Sequence, residues 1–174
     1  ASTGVLALGA PSANNISMSN LPNVTLGAVG SQTYSGALTP AGNTYKLGGG
    51  YGTLTLTEAN QLSGANNLLV ANNASLGATS GVAPLGGIVQ IADVAPISGS
   101  VTVRGGLYNP TGGIGGQVLS LAGQNAAMSN VTAVNVDLYG AFRMVGSAYH
   151  ANKLPDSVPV TLRGGQFDYL NDGS

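Results

Sequence analysis

The chain has 174 residues, of which only 6% are charged, and its formal net charge is −1. So few cations cannot form the basic surface that neutralises nucleic-acid phosphates, which argues against a nucleic-acid-binding protein. The lack of cysteine excludes disulfides, thiolate metal sites and a cysteine nucleophile, and no run approaches the roughly 18 apolar residues of a membrane-spanning helix.

Short runs in which apolar and polar residues alternate predict β-strands along most of the chain. At 53–57, Leu54 and Leu56 alternate with threonines, and the run at 101–104 has the same period of two. At 134–139 the pattern places Val134, Val136 and Leu138 on one face; further predicted strands are 23–26, 67–70, 87–91, 118–121 and 160–163. The weak helical candidates, 57–62 and 122–128, give no sustained apolar stripe. The chain is therefore predicted to be all-β, with little or no helix.

One segment occurs twice. The run P-I-S-G-S-V-T-V-R-G-G at 96–106 is similar to the run P-D-S-V-P-V-T-L-R-G-G at 155–165, 59 residues later. Self-similarity at a fixed offset indicates stacked units, and this offset is close to three coils of about 20 residues. Short strands also fit a sandwich or a barrel. The repeat, the uniform composition and the Asn-rich corners at 14–15, 66–67 and 72–73 favour a β-solenoid. The residues taken as its structural repeat are Val101, Thr102, Arg104, Gly105 and Gly106, with Val160, Thr161, Arg163, Gly164 and Gly165.

The stretch T-Y-S-G-A-L-T-P-A-G-N-T-Y-K-L-G-G-G-Y-G-T-L-T-L at 33–56, followed by L-S-G-A-N-N-L-L-V at 62–70, resembles the Gly-, Asn- and Thr-rich passenger segments of bacterial autotransporters. It is most similar to large surface proteins that carry the autotransporter-associated β-strand repeat, and V-T-L-R-G-G at 160–165 resembles an element of those repeats. The resemblance implies a right-handed parallel β-helix that is exported and displayed on, or shed from, a bacterial surface.

Candidate catalytic and metal-binding residues are few. The glycine-rich turns at 48–54 and 112–118 carry Leu54 and Gln117 where a calcium-binding nonapeptide needs its aspartate, so both are predicted to be tight or flexible turns. His150 is the only histidine, and the run 149–154 could place it beside Lys153. A catalytic triad or a metal site needs partners that cannot be identified from the sequence, so a surface or loop histidine is the favoured interpretation. Asp93 and Asp137 could meet across coils, but no spacing groups the acidic residues, which are Glu58, Asp93, Asp137, Asp156, Asp168 and Asp172. We therefore predict no catalytic residue, no cofactor and no metal.

Arg104 and Arg163 occupy equivalent repeat positions directly before a Gly-Gly pair. The favoured interpretation is that each guanidinium caps exposed carbonyls where a strand leaves its coil; the alternative is a ladder of cations for an anionic glycan. Tyr108 and Phe167 also lie near equivalent positions. Stacked aromatics within or along a coil are the ordinary interpretation, and an exposed sugar-binding row is the alternative.

Together these observations predict one β-solenoid domain over 1–174, a right-handed parallel β-helix of about seven to nine short coils, expected to be a segment of a longer chain. The leading hypothesis is a non-enzymatic extracellular structural or adhesive protein of the bacterial cell surface, either a surface passenger or a filament subunit. Its expected partners are further coils or copies joined end to end, and surface glycans. The alternative is a carbohydrate-active β-helix enzyme or a glycan-binding module, which an acidic cluster in a groove would favour.

Overall fold

A computed structural model describes residues 3–72, 86–105, 116–146 and 152–171, and every regular element in these ranges is a β-strand. The segments at 57–62 and 122–128 contain turns and bends instead of helices. The prediction of an all-β chain is confirmed for the described residues. The strands are β1 Thr3–Leu8, β2 Ile16–Ser17, β3 Asn23–Ala28, β4 Ser31–Tyr34, β5 Leu38–Thr39, β6 Thr44–Leu47, β7 Thr53–Leu56, β8 Asn67–Val70, β9 Gly87–Ile91, β10 Ser100–Val103, β11 Gln117–Leu121, β12 Ala133–Asp137, β13 Gly140–Gly146, β14 Val160–Arg163 and β15 Gln166–Asn171.

The strands form two main sheets in which every pairing is parallel. The seven-stranded sheet has the order β1-β3-β6-β8-β10-β12-β14, and the six-stranded sheet has the order β4-β7-β9-β11-β13-β15. The chain therefore passes from one sheet to the other and then returns to the first sheet one strand farther along, and each such circuit is one coil. Strands β2 and β5 form a short third sheet. This arrangement is consistent with a β-solenoid or β-helix, and the described residues form seven coils.

Side chains that point between the sheets stack in ladders, because the strands pair in register. In one such ladder on each main sheet, the residues between its two ends are buried and belong to one hydrophobic cluster. Each large side chain buried in this way contributes about 1.5–3 kcal/mol. One ladder on the seven-stranded sheet comprises Leu6, Leu26, Leu47, Val70, Val103, Val136 and Leu162, and one on the six-stranded sheet comprises Gln32, Leu54, Val89, Leu119, Phe142 and Phe167.

The predicted inward faces are confirmed except at one position. Leu54 and Val101 lie in the core, as do Val134 and Val136. Leu138 was expected on the same face, but its side chain is 55% exposed. The strand ends at Asp137, and the chain then turns through Tyr139, whose φ of 59° lies in the left-handed region.

The expected coil length is wrong. Val101 lies opposite Val134, and Val134 lies opposite Val160, so the two repeat copies are two coils apart instead of three. The paired residues Leu6 and Leu26 are 20 positions apart, whereas Val70 and Val103 are 33 apart. The coils differ in length because the connections vary while the strands stay short.

Side-chain amides tie neighbouring coils together at the corners. The Asn15 Oδ1 atom accepts a hydrogen bond from the Ala37 backbone N–H at 3.0 Å, and the Asn67 Oδ1 atom accepts one from the Ser100 backbone N–H at 2.9 Å. The Gln61 Nε2 atom donates to the Tyr34 carbonyl at 2.9 Å. These bonds satisfy backbone groups at bends where ladder hydrogen bonds are interrupted.

Tyr34 is fully buried, and its hydroxyl group links the first two coils. Its Oη atom lies 2.8 Å from the Ala37 carbonyl oxygen and 3.1 Å from the Asn14 carbonyl oxygen, which share its single proton, and it accepts a hydrogen bond from the Ile16 N–H at 3.2 Å. Burial raises the pKa of Tyr34 above its usual value near 10, although the hydrogen bond from Ile16 acts in the opposite direction. A raised pKa in the folded state means that Tyr34 contributes stability below about pH 10 that is lost as the pH rises through the folded-state value.

We therefore expect the Tyr34→Phe variant to be less stable than the parent chain at pH 8, by about 1–2 kcal/mol, because the buried groups lose their hydroxyl partner. The difference should shrink as the pH rises above about 10, since the variant has no phenol to ionise there. Urea unfolding at a series of pH values from about 8 to 12 measures both effects. Parallel stability curves for the two proteins would contradict this role of Tyr34.

Candidate functional site

The last coil, formed by β14 and β15, exposes residues that are buried in the coils before it. Val160 and Leu162 are 42% and 51% exposed, whereas their partners Val134 and Val136 are fully buried. Tyr169, which lies opposite Met144 on the six-stranded sheet, is 66% exposed. Both strands are sheet edges. The last coil therefore presents an apolar surface and unpaired strand edges, which are features of a docking surface.

Besides the strand pairings of β14 and β15, two ion pairs and an aromatic stack attach the last coil to the preceding one. The Arg163 Nη1 atom lies 3.2 Å from the Asp137 Oδ1 atom, and the Arg143 Nη2 atom lies 3.3 Å from the Asp168 Oδ2 atom. The rings of Phe142 and Phe167 stack with their centroids 5.7 Å apart, as expected for aromatics along a coil. Partly exposed ion pairs contribute little stability, but these two neutralise the charged residues of β14 and β15.

A buried lysine fixes the connection that leads into the last coil. Lys153 is 4% exposed, and its ammonium donates to the carbonyls of Gly123 at 3.0 Å and Ala126 at 3.3 Å. Its own carbonyl accepts a hydrogen bond from the Met128 N–H at 2.8 Å. A cavity of about 350 Å³ lies beside it, lined chiefly by Met144, Leu154, Val158, Val160 and Tyr169. This pocket opens to the surface, since Val160 and Tyr169 in its lining are 42% and 66% exposed.

The residues of the predicted repeat build a corner between the two sheets. Thr102 and Thr161 lie beside the buried ladder on alternate positions of their strands. A Cβ atom on Gly105 would come closer than 3 Å to the carbonyl group of Tyr139, and one on Gly165 would come within 2.7 Å of the Asp137 carbonyl oxygen. Gly164 has a left-handed φ of 79°. The close contact between neighbouring coils therefore requires glycine at positions 105 and 165. Gly106 lies outside the described residues.

Arg163 does not cap carbonyls as expected, because its hydrogen-bond partner is the carboxylate of Asp137 in the preceding coil. Arg104 occupies the equivalent corner directly after β10 and is half-buried. The charge of Arg163 is balanced within the chain, so it is not one member of an open ladder of cations. Of the aromatic pair, Phe167 stacks inside the coil and Tyr108 lies outside the described residues.

The acidic residues are spread along the stack. Asp93 follows β9 of the six-stranded sheet, whereas Asp137 ends β12 of the seven-stranded sheet, so the two belong to different corners of the coil. Within the described ranges, no group of three or more His, Asp or Glu residues is placed to hold a metal ion. His150 and Asp172 lie outside those ranges.

The glycine turn at 48–54 is a tight turn, as predicted. Gly48, Gly49 and Gly50 have left-handed φ values of 115°, 82° and 90°. Leu54 belongs to the core, and the buried Gln117 Oε1 atom accepts a hydrogen bond from the Gly49 N–H at 3.0 Å. Both residues at the would-be calcium positions therefore have structural roles, and residues 112–115 lie outside the described part of the chain.

Sequence reasoning missed the residues that distinguish the last coil. Leu162 and Tyr169 have the same residue types as buried ladder members elsewhere, and their exposure depends on which coil lies last. Lys153 was considered only as a neighbour of His150, and its burial follows from contacts with a segment about 30 residues earlier.

The described part of the chain has no helix with the length and hydropathy needed to cross a membrane. No protein-family model, curated protein or solved structure matches this chain.

Proposed function

We propose that this chain is a non-enzymatic structural or adhesive β-solenoid, and that the last coil is the surface through which it joins further coils or subunits. The observation that carries the proposal is the exposure of Val160, Leu162 and Tyr169 at positions that are core ladder positions in the preceding coils. Apolar ladder ends and open parallel edges are stabilised when another coil covers them.

Two further features support a scaffold. Core ladders and corner amides such as Asn15, Gln61 and Asn67 hold the coils together. These residues therefore have structural roles in the stack. In the proposed right-handed parallel β-helix, each crossover has the handedness that parallel strands almost always adopt. The resemblance of 33–56 and 62–70 to autotransporter passengers supports a proposed location outside the cell, on a bacterial surface.

Electron microscopy of the purified chain tests this proposal. If the ends stack, the protein should form filaments whose axial repeat is about 34 Å, since seven coils each advance about 4.8 Å. The proportion of protein in filaments should rise with its concentration. Uniform single particles at every concentration would contradict a self-assembling structural subunit.

A further inference from the structure

We infer that one side of the stack, the corner at which the chain crosses from the seven-stranded to the six-stranded sheet, binds a neutral polysaccharide. Tyr51 is the aromatic platform of this site. We call this side the crossover corner, and its short connections are 29–30, 48–52 and 138–139. The inference goes beyond the proposed function, because it concerns a lateral surface and does not depend on what covers the last coil.

Exposed apolar side chains concentrate at the crossover corner. Outside the first and last coils, three large hydrophobic residues of the described ranges are exposed: Val29 at 57%, Tyr51 at 65% and Leu138 at 55%. All three lie in connections from the seven-stranded to the six-stranded sheet. The connections also differ most in length here, since 29–30 joins β3 to β4 whereas 71–86 joins β8 to β9. Insertions on one side of a solenoid commonly mark its binding face.

The backbone conformation of Tyr51 is one that favours glycine. Its φ is 63°. Tyr139 at the equivalent position of a later coil has a φ of 59°, and Gly164 at that position of the last coil has a φ of 79°. A Cβ atom makes this conformation unfavourable, whereas glycine adopts it freely. Core packing does not compensate at Tyr51, because the residue is largely exposed. A strained residue at an exposed position indicates a role in binding.

Four side-chain hydroxyl groups lie near Tyr51 on the outer face of the six-stranded sheet. Ser31 pairs with Thr53, and Thr33 pairs with Thr55, at strand positions that alternate with core residues. These side chains are exposed or half-buried, and each hydroxyl can donate and accept hydrogen bonds with sugar hydroxyls. The ring of Tyr51 offers a flat apolar face to the C–H groups of a sugar ring. Together they match the two surfaces of a sugar.

The distribution of charge favours an uncharged ligand. Strands β4 and β7 carry no charged residue. The charges nearest to Tyr51 along the chain are Lys46, in the other main sheet, and Glu58, beyond the far end of β7. An acidic or basic ligand would therefore find no charged partner on these two strands. Serine is depleted in protein–protein interfaces, so a surface rich in hydroxyl groups fits a polysaccharide better than a protein.

Calorimetric titration with hexasaccharides of glucose, mannose and galactose, and with acidic hexagalacturonate, tests the site. At least one neutral hexasaccharide should bind the parent chain, and Tyr51→Ala should weaken that binding by about tenfold or more because the stacking face is lost. Tyr51→Gly should lose binding equally but keep a urea midpoint close to that of the parent, since glycine accepts the left-handed φ. The matched control is Asn130→Ala, in an exposed turn between β11 and β12, which should bind as the parent does.

The inference is overturned if no neutral hexasaccharide binds the parent chain, if hexagalacturonate binds more tightly than the neutral sugars, or if Tyr51→Ala binds as the parent does. It is also overturned if Tyr51→Ala loses self-association in sedimentation, because the crossover corner would then be a protein contact. Filament formation by the parent chain is measured separately, so a failure of sugar binding is distinguishable from a failure of the proposed structural function.

Discussion

The Gly27→Ala variant is expected to lose about 3 kcal/mol of its free energy of unfolding, because a single added methyl group would overpack the corner between neighbouring coils. Gly27 lies in β3, and its Cβ atom would be closer than 3 Å to the carbonyl oxygens of both Gly48 and Gly49. These are backbone atoms, which cannot move aside by changing rotamer. The turn at Gly48–Gly50 would have to shift, and the hydrogen bond from the Gly48 N–H to the Leu26 carbonyl would be strained.

Gly9→Ala provides the matched control for this substitution. Gly9 also has an ordinary φ, but a Cβ atom there would meet no atom within 4 Å. We expect its stability to change by less than about 1 kcal/mol, with a small gain because alanine restricts the unfolded chain. Urea unfolding followed by circular dichroism gives the midpoint for each protein. Similar midpoints for the two variants would contradict the close packing at the Gly27 corner.

The strands that the sequence reveals are those with one buried and one polar face. The run at 53–57 was found because Leu54 and Leu56 enter the core while the threonines between them do not. β1, with the sequence T-G-V-L-A-L, lacks such alternation and was missed. β6 does alternate, since Tyr45 and Lys46 point to opposite faces, but four residues beside a glycine run give a weak signal. Strand detection thus depends on contrast between faces.

The pairing of the coils could be predicted only in part. The repeat places Val101 and Val160 in the same ladder, which the structure confirms. The number of coils between them could not be derived from an offset of 59, because connections of different length can join strands of equal length. The exposure of Leu162 is a property of the whole stack, so local sequence carries no signal for it. Residue types predicted the ladders, and stacking order determines which ladder ends are exposed.

Replacing Leu162 by aspartate is expected to abolish most self-association. In the proposed function the Leu162 side chain is covered by the coil or subunit that stacks on the last coil, so an aspartate would place an unpaired carboxylate in an apolar contact. The cost of burying such a charge is about 3 kcal/mol or more, which weakens association by at least about 100-fold. Leu162 is 51% exposed in the single chain, so the variant should keep its fold, which circular dichroism can check.

Leu138→Asp is the control for this experiment, because Leu138 is 55% exposed but lies in a turn outside the ladders. Sedimentation velocity of the parent chain, Leu162→Asp and Leu138→Asp over a range of concentrations tests the central claim most directly. The sedimentation coefficients of the parent and of Leu138→Asp should rise with concentration, while that of Leu162→Asp should stay at the monomer value. A parent chain that remains monomeric throughout, or a Leu162→Asp variant that associates as the parent does, would contradict the claim that the last coil is an association surface.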